Sequence, residues 1–294
     1  MKKRKHYYQS KIAIVYDFDG TLSPQPMQEY TVLPELGIRS IDFWKEVSKQ
    51  ARDTEAESML VYMRLLIEKA DSKKIHLGKE ELAKLAKEIK YFPGVETWFK
   101  RINNYVKEIS HSKSKIEHYI ISAGMKEILI GSSIKKEFKN IFASEYHFNH
   151  HGVAIFPKQI ITDTTKTQFL FRINKGKQKL TESINQHMPE HKRPIPFSNI
   201  IYIGDGLTDV PSMVVTKQNG GHSIAVYKPK SKNGLSVCKD LLKANRVHFI
   251  APADYKEDGI LNTRIKLLLR AVISSIDYDR KLYACRRENS LLSD

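Results

Sequence analysis

The chain has 294 residues, 41% of them hydrophobic and 28% charged, and 49 Lys+Arg against 33 Asp+Glu leave a net charge of +16. Such a composition belongs to a folded globular protein with a sizeable core and excludes a disordered or fibrous chain. No apolar stretch approaches the roughly 18 residues of a membrane-spanning helix, so no membrane partner is expected.

The opening cluster MKKRK reads as a frayed basic terminus, and no apolar region of a secretory signal follows it. The first element is KIAIVYDFDGTLSP, residues 11–24. Its apolar part, Ile12 to Tyr16, has neither helical period nor clean alternation, the pattern of a parallel strand buried on both faces. Gly20 and Pro24 break it, which leaves Asp17 and Asp19 at the strand's carboxyl end, where open α/β sheets bind ligands. From residue 40 to about residue 90 only helical periodicity is present. Phe43, Trp44 and Val47 share one face, then Met59, Tyr62, Met63 and Leu66, then Leu82, Leu85, Ala86 and Ile89. YFPG (residues 91–94) closes this block.

Four further short apolar runs follow: HYIISAG at 118–124, NIIYIGDG at 199–206, SIAVYK at 223–228 and RVHFIAP at 246–252. Helical patterns cover 95–109, 125–142, 164–186, 235–245 and 260–283, and residues 145–160 read as a hairpin turning at His151 and Gly152. Strands alternating with helices predict an α/β fold, a parallel sheet with helices on both faces, plus an inserted all-helical domain hanging over the rim. The expected division is an α/β core of residues 1–24 and 91–294 with a helical cap of residues 25–90.

On one rim the strand ends gather Asp17, Asp19 and Thr21, then Ser122 with Ala123 and Gly124, then Asp205 and Asp209 from GDGLTD. Two unit charges about 4 Å apart repel by about 4 kcal/mol at an effective dielectric of 20, so four carboxylates there call for a divalent cation. Oxygen-only donors point to Mg²⁺. A calcium loop does not fit, because Gly20 comes too early and Gln28 stands where a Glu is needed. GDGLTD also lacks the last glycine of a dinucleotide fingerprint. Taken alone, Ser122 reads as a turn former and Asp209 as a helix N-cap.

These elements resemble the haloacid dehalogenase (HAD) superfamily of aspartate-nucleophile phosphatases. DFDGT (Asp17 to Thr21) resembles its first motif, IISAG (Ile120 to Gly124) its second, and GDGLTD (Gly204 to Asp209) its fourth. The third is a lysine near the start of the helix before the fourth motif. Lys175 in RINKGK matches best the N/A-K-G of phosphoserine phosphatase-like members, and Lys166 in DTTKTQ is the second candidate. The resemblance implies a Rossmann-like HAD core, with a helical cap like that of the phosphoserine phosphatase and pyrimidine 5′-nucleotidase subgroup. It makes Asp17 the nucleophile and Asp19 the general acid and base. Thr21, Ser122, Ala123 and Lys175 would bind the phosphate, and Asp17, Asp19, Asp205 and Asp209 would serve the metal, Asp19 through its backbone carbonyl. Dehalogenases lack the second acid, so Asp19 points to phosphoryl chemistry. Gly20 departs from phosphoserine phosphatases, which typically carry Ser or another residue there, and phosphoserine is therefore not named as substrate.

The expected activity is a Mg²⁺-dependent phosphomonoesterase acting on a small cytoplasmic metabolite through an aspartyl-phosphate. Two alternatives stand beside it: a nucleotide or nucleic-acid end phosphatase using the basic surface, and a non-catalytic phospho-ligand binding protein. The basic residues are dispersed, so a nucleic-acid partner is possible but not favoured. Cys238 and Cys285 have no CxxC partner and read as reduced thiols. His147, His150 and His151 read as a polar hairpin tip. Phe43, Trp44 and Tyr62 read as cap core, and Arg39, Arg52 and Arg64 as a solvated face.

Overall fold

The computed structural model describes Tyr7 and residues 9–289; the MKKRK cluster lies outside the described residues. Strand β1 (Lys11–Tyr16) is buried from Ile12 onward. Five helices follow it: α1 (Met27–Tyr30), α2 (Val32–Glu35), α3 (Ser40–Asp53), α4 (Ser58–Ser72) and α5 (Lys79–Leu85). Then come α6 (Val95–Ile109), β2 (Lys115–Met125), α7 (Lys126–Gly131), β3 (Phe138–Phe148), β4 (Ala154–Gln159) and α8 (Lys166–Lys175). The chain ends with β5 (Ile200–Gly204), α9 (Val210–Gln218), β6 (His222–Tyr227), α10 (Lys232–Lys243), β7 (Phe249–Pro252) and α11 (Ile260–Glu288). No helix among the described residues is long and apolar enough to cross a membrane.

The seven strands lie in the order β4-β3-β2-β1-β5-β6-β7. All pair in parallel except β4, which returns antiparallel along β3 as the expected hairpin. Strand alternation sends neighbouring β1 residues to opposite faces. Ile12, Ile14 and Tyr16 pack with Trp98, Phe99 and Ile102 of α6, Leu269 of α11 and the inserted helices. Ala13 and Val15 pack with Phe169 and Leu170 of α8, Met213 of α9 and Leu241 of α10. The doubly covered parallel sheet is thus present, and its two buried faces explain the unbroken apolar runs.

Trp98 anchors the first face. It is fully buried and its Nε1 donates to Tyr16 Oη at 2.9 Å, while that hydroxyl meets His118 Nδ1 at 3.0 Å. Burial holds the His118 pKa down, at about 3. Trp98→Ala removes a large core side chain and leaves a buried hydroxyl short of a partner, so it should cost about 4 kcal/mol in urea unfolding.

Two helical expectations change. The pattern at 125–142 divides into α7 and the start of β3, because residues 138–144 pair with β2 and that pairing overrides the local period. The pattern at 164–186 ends at Lys175, where the chain turns at Gly176. Beyond it Arg172 donates to the carbonyls of Lys177, Lys179 and Glu182, and Lys175 Nζ to those of Ile184 and Gln186. The segment is therefore an ordered loop gathered around two cations.

Candidate active site

Parallel pairing sets the site. Strand β1 lies between β2 and β5, with Tyr16 opposite both Ile120 and Ile203. Asp17 and Asp205 therefore leave β1 and β5 next to each other, beside Ser122, which lies in β2 and pairs with Ala143 of β3. Asp17 N donates to Ile203 O at 2.9 Å, so the ladder continues one residue into the acid-bearing loop. Tyr255, from the loop after β7, donates its hydroxyl to Thr21 O at 2.9 Å and braces that loop from below.

The chain turns at Gly20 with φ of +77°, and a Cβ there would stand 1.9 Å from Asp205 Oδ2. Only a residue without a side chain lets the Asp205 carboxylate come so close to the first loop. Asp17, Asp205 and Asp209 can each offer an oxygen, all within 4.8 Å of one another. Asp209 is fully buried, and both its oxygens are engaged. Oδ1 accepts from Lys166 Nζ at 2.7 Å and Tyr202 Oη at 2.6 Å, and Oδ2 accepts from Asp205 N at 3.1 Å. It makes no side-chain cap for α9, so the helix-cap alternative gives way to an inward orienting contact.

Lys166 opens α8 and is 1% exposed. Its ammonium lies 3.0 Å from Asp17 Oδ1 and bridges to Asp209. Lys175 closes the same helix and its Nζ donates to the carbonyls of Ile184 and Gln186, so of the two candidate lysines the structure brings Lys166, and not the favoured Lys175, to the acids. The reason is geometric. A helix returning from the sheet starts on the rim of strand carboxyl ends, and nine residues later the chain is about 13 Å away along the axis.

The hydroxyl of Thr21 is buried and has no hydrogen-bond partner among the described residues. Ser122 Oγ is also buried and accepts from Gly124 N at 2.9 Å, which leaves its own O–H to donate. Ala123 O accepts from Tyr62 Oη at 3.1 Å, tying α4 to the end of β2. Asp19 Oδ1 accepts from Met27 N at 2.8 Å. Burial raises the Asp17 carboxyl to about 6; Lys166 pulls it down and Asp209 pushes it up. Asp19 and Asp205 are held well above the usual carboxylate range, first by burial and then by neighbouring acids. Burial lowers the Lys166 pKa, but Asp17 and Asp209 outweigh it and the net shift is upward.

These shifts give a pH-dependent cost. A carboxyl raised in the fold contributes stability that is complete below its unfolded value of 3.8 and is lost as pH rises through its folded value. Lys166 stays charged in both states over this range and adds no slope. In EDTA the melting temperature should therefore fall as pH rises from about 4 to beyond about 6. Added Mg²⁺ should raise it more at pH 8 than at pH 5, since the cation needs ionised ligands. Thermal melts across pH with and without Mg²⁺ check both statements.

The other candidates behave as solvated or core groups. His147, His150 and His151 are exposed at the hairpin, and the metal-competent cluster found among the described residues is the aspartate one. Phe43 and Tyr62 are buried, and Trp44 Nε1 donates to Glu29 Oε1 at 3.0 Å. Arg39 pairs with Asp42 and Arg64 with Glu68, both on exposed surface. Cys238 is buried and Cys285 exposed, both free. Tyr202 and Met27 enter the site unannounced, the one from inside an apolar run and the other through a backbone N–H, and Tyr62, read as cap core, also reaches Ala123.

The family model of haloacid dehalogenase-like hydrolases matches residues 14–213, more than half of the chain. A Borreliella burgdorferi protein, described as uncharacterized, is 30% identical over 268 residues, which cover 83% of this chain and 91% of that one. Among solved structures, a phosphoserine phosphatase captured as a phospho-aspartyl intermediate analogue gives a TM-score of 0.55 at 17% identity, over 88% of this chain and 99% of its own. A substrate-bound phosphoserine phosphatase gives 0.51 at 18%, over 80% and 99%. A HAD family hydrolase of Salmonella enterica serovar Typhi gives 0.53 at 17%, over 82% and 67%. At such identities the likeness is one of fold. The match along residues 14–213 makes this chain a member of the haloacid dehalogenase-like hydrolases, built on the fold that phosphatases of the family share.

Proposed function

We propose that this hydrolase is a Mg²⁺-dependent phosphomonoesterase that cleaves a small phosphorylated substrate through an aspartyl-phosphate on Asp17. The observation that carries the proposal is the buried pairing of Lys166 with Asp17, at 3.0 Å, beside Asp205. An anionic nucleophile meeting an anionic phosphoryl group needs fixed positive charge at the point of attack.

The site fits a hard divalent cation: its donors are all oxygen, and the notch at Gly20 holds the Asp205 carboxylate against the first loop. Asp17 and Asp205 would hold it through side chains and Asp19 through its backbone carbonyl, with Asp209 orienting Lys166 and the Asp205 backbone. When bound, Mg²⁺ supplies charge offset to the phosphoryl oxygens. Lys166 keeps Asp17 ionised and aimed. An Asp17 oxygen attacks phosphorus while the bond to the ester oxygen breaks, and Asp19, held protonated by burial and by Asp17, gives that oxygen its proton. Asp19 then takes a proton from water, whose oxygen attacks the aspartyl-phosphate, releasing phosphate and freeing Asp17. The partnerless hydroxyl of Thr21 and the O–H of Ser122 would donate to phosphoryl oxygens.

Residues 25–90 would form the cap. Asp17 is 5% exposed and Tyr62 ties α4 down onto Ala123, so this seat suits a small leaving group better than a polymer end. Phosphate release from a panel of phosphorylated sugars, amino acids, nucleotides and 3′-phosphorylated oligonucleotides tests the proposal, run with Mg²⁺ and with EDTA. One small compound standing above the rest, dependent on metal and on Asp17, supports it. Silence across the panel from folded protein would sink it.

A further inference from the structure

Asp19 holds its position through a residue outside the four motifs. Met27, the first residue of α1, donates its backbone N–H to Asp19 Oδ1 at 2.8 Å. The other oxygen, Oδ2, accepts no hydrogen bond among the described residues. The Met27 side chain is fully buried and curls back over the end of β2, where its Sδ accepts from Met125 N at 3.2 Å. Its methyl crowds Gly124: a Cβ added there would lie 2.1 Å from Met27 Cε and 3.2 Å from Asp19 Oδ2. The thioether and the free oxygen of Asp19 thus border the same small volume.

From these contacts we infer that Met27 sets the leaving-group side of the site, a step that rests on the proposed phosphomonoesterase. Its N–H is the clamp that fixes Asp19 with Oδ2 free to protonate the ester oxygen. Its thioether is the wall that meets the first atoms of the leaving group. An oxygen receiving the Oδ2 proton has its substituent one bond further on, in the volume that the Met27 methyl borders. Met27 is a positioning residue for Asp19 and a size filter for the substrate. Methionine suits the second task because it is apolar and has three rotatable bonds, so it can retreat before a compact group and still obstruct a broad one.

The two tasks separate by substitution. Met27→Ala keeps the N–H and removes the wall. Met27→Pro removes both, and the backbone admits it: Met27 is at the first helical position, and Pro26 has the extended ψ of 133° that a residue before proline requires. The probes are p-nitrophenyl phosphate, whose leaving group departs with little protonation, and the fastest alkyl ester among phosphoserine, glycerol 3-phosphate and ribose 5-phosphate. Both rates come from one preparation, so any unfolded fraction cancels in their ratio.

Relative to wild type, Met27→Ala should raise kcat/KM for the aryl ester over the alkyl ester by about tenfold. Relative to Met27→Ala, Met27→Pro should lose about 100-fold on the alkyl ester and less than about fivefold on the aryl ester, the signature of a misplaced general acid. Equal loss on both esters in the proline variant overturns the clamp, and an unchanged ratio in the alanine variant overturns the wall. Wild-type protein without metal- and Asp17-dependent turnover of either probe overturns the parent proposal, and this inference with it. Turnover by wild type with the wrong ratios overturns the inference alone.

Discussion

Lys166→Met should lower phosphate release about 1,000-fold at saturating Mg²⁺, while Lys175→Met should stay within about threefold of wild type. The contrast follows from what each ammonium touches. Lys166 is buried between Asp17 and Asp209, at 3.0 and 2.7 Å, and replaces water as the solvation of both carboxylates. Without it Asp17 loses the ammonium that separates it from Asp209, and the incoming phosphoryl group loses fixed positive charge at the point of attack. Removing one partner of a buried ion pair also costs about 3–5 kcal/mol of stability, so the variant should melt lower as well. Arginine should not rescue it, because a planar fork cannot occupy a point-charge seat closed on all sides. Lys175 Nζ, by contrast, ties down the carbonyls of Ile184 and Gln186, and its loss should loosen the loop after α8 without touching the acids. Steady-state rates for the two methionine variants decide the matter. A severe loss in Lys175→Met with normal turnover in Lys166→Met would return the role to Lys175.

That pair of lysines also marks where a linear sequence stops being informative. Asp17, Asp19, Ser122 and Asp205 are legible because each follows a short apolar run, and parallel strands deliver their carboxyl ends to one rim. The lysine is not a strand-end residue. Its place depends on where α8 begins; the helical pattern of 164–186 opens beside Lys166, but the likeness of RINKGK to N/A-K-G draws the assignment to the other end of the helix. RINKGK looks locally like a helix entrance, but in the fold Gly176 closes the helix and DTTK opens it. Strand β3 was hidden for a related reason. FKNIFASEYHF has Lys, Asn and Glu within it, and its strand character comes from the ladder to β2 and not from intrinsic preference. Tyr202 sits inside a wholly buried strand, where nothing in NIIYIGDG separates the tyrosine that holds Asp209 from one that fills the core. The contact of Met27 with Asp19 is made by a backbone N–H, which carries no sequence signal at all.

Asp17→Asn should abolish turnover and yet leave the EDTA-treated protein more stable than wild type at neutral pH. The catalytic loss, at least about 10⁴-fold, follows because the amide is no nucleophile and the aspartyl-phosphate cannot form. The gain in stability has its origin in the same burial. A carboxyl that titrates near 6 in the fold and near 3.8 when unfolded disfavours the folded state by about 3 kcal/mol once ionised. Asparagine removes that charge at little change in shape, although it surrenders one partner of Lys166, which keeps Asp209. The net gain should therefore be about 1–2 kcal/mol at pH 7 and should vanish below about pH 4, where Asp17 is protonated in both states. Mg²⁺ should reverse the order, raising the wild-type melting temperature more than that of the variant, which has lost a ligand. Melting curves at pH 4 and pH 7, with and without Mg²⁺, separate these terms. If Asp17→Asn melts below wild type in EDTA at pH 7, the ion pair with Lys166 outweighs burial at this site. If it melts above, the fold carries an unfavourable charge at Asp17, as expected where an anionic nucleophile has been buried for its chemistry.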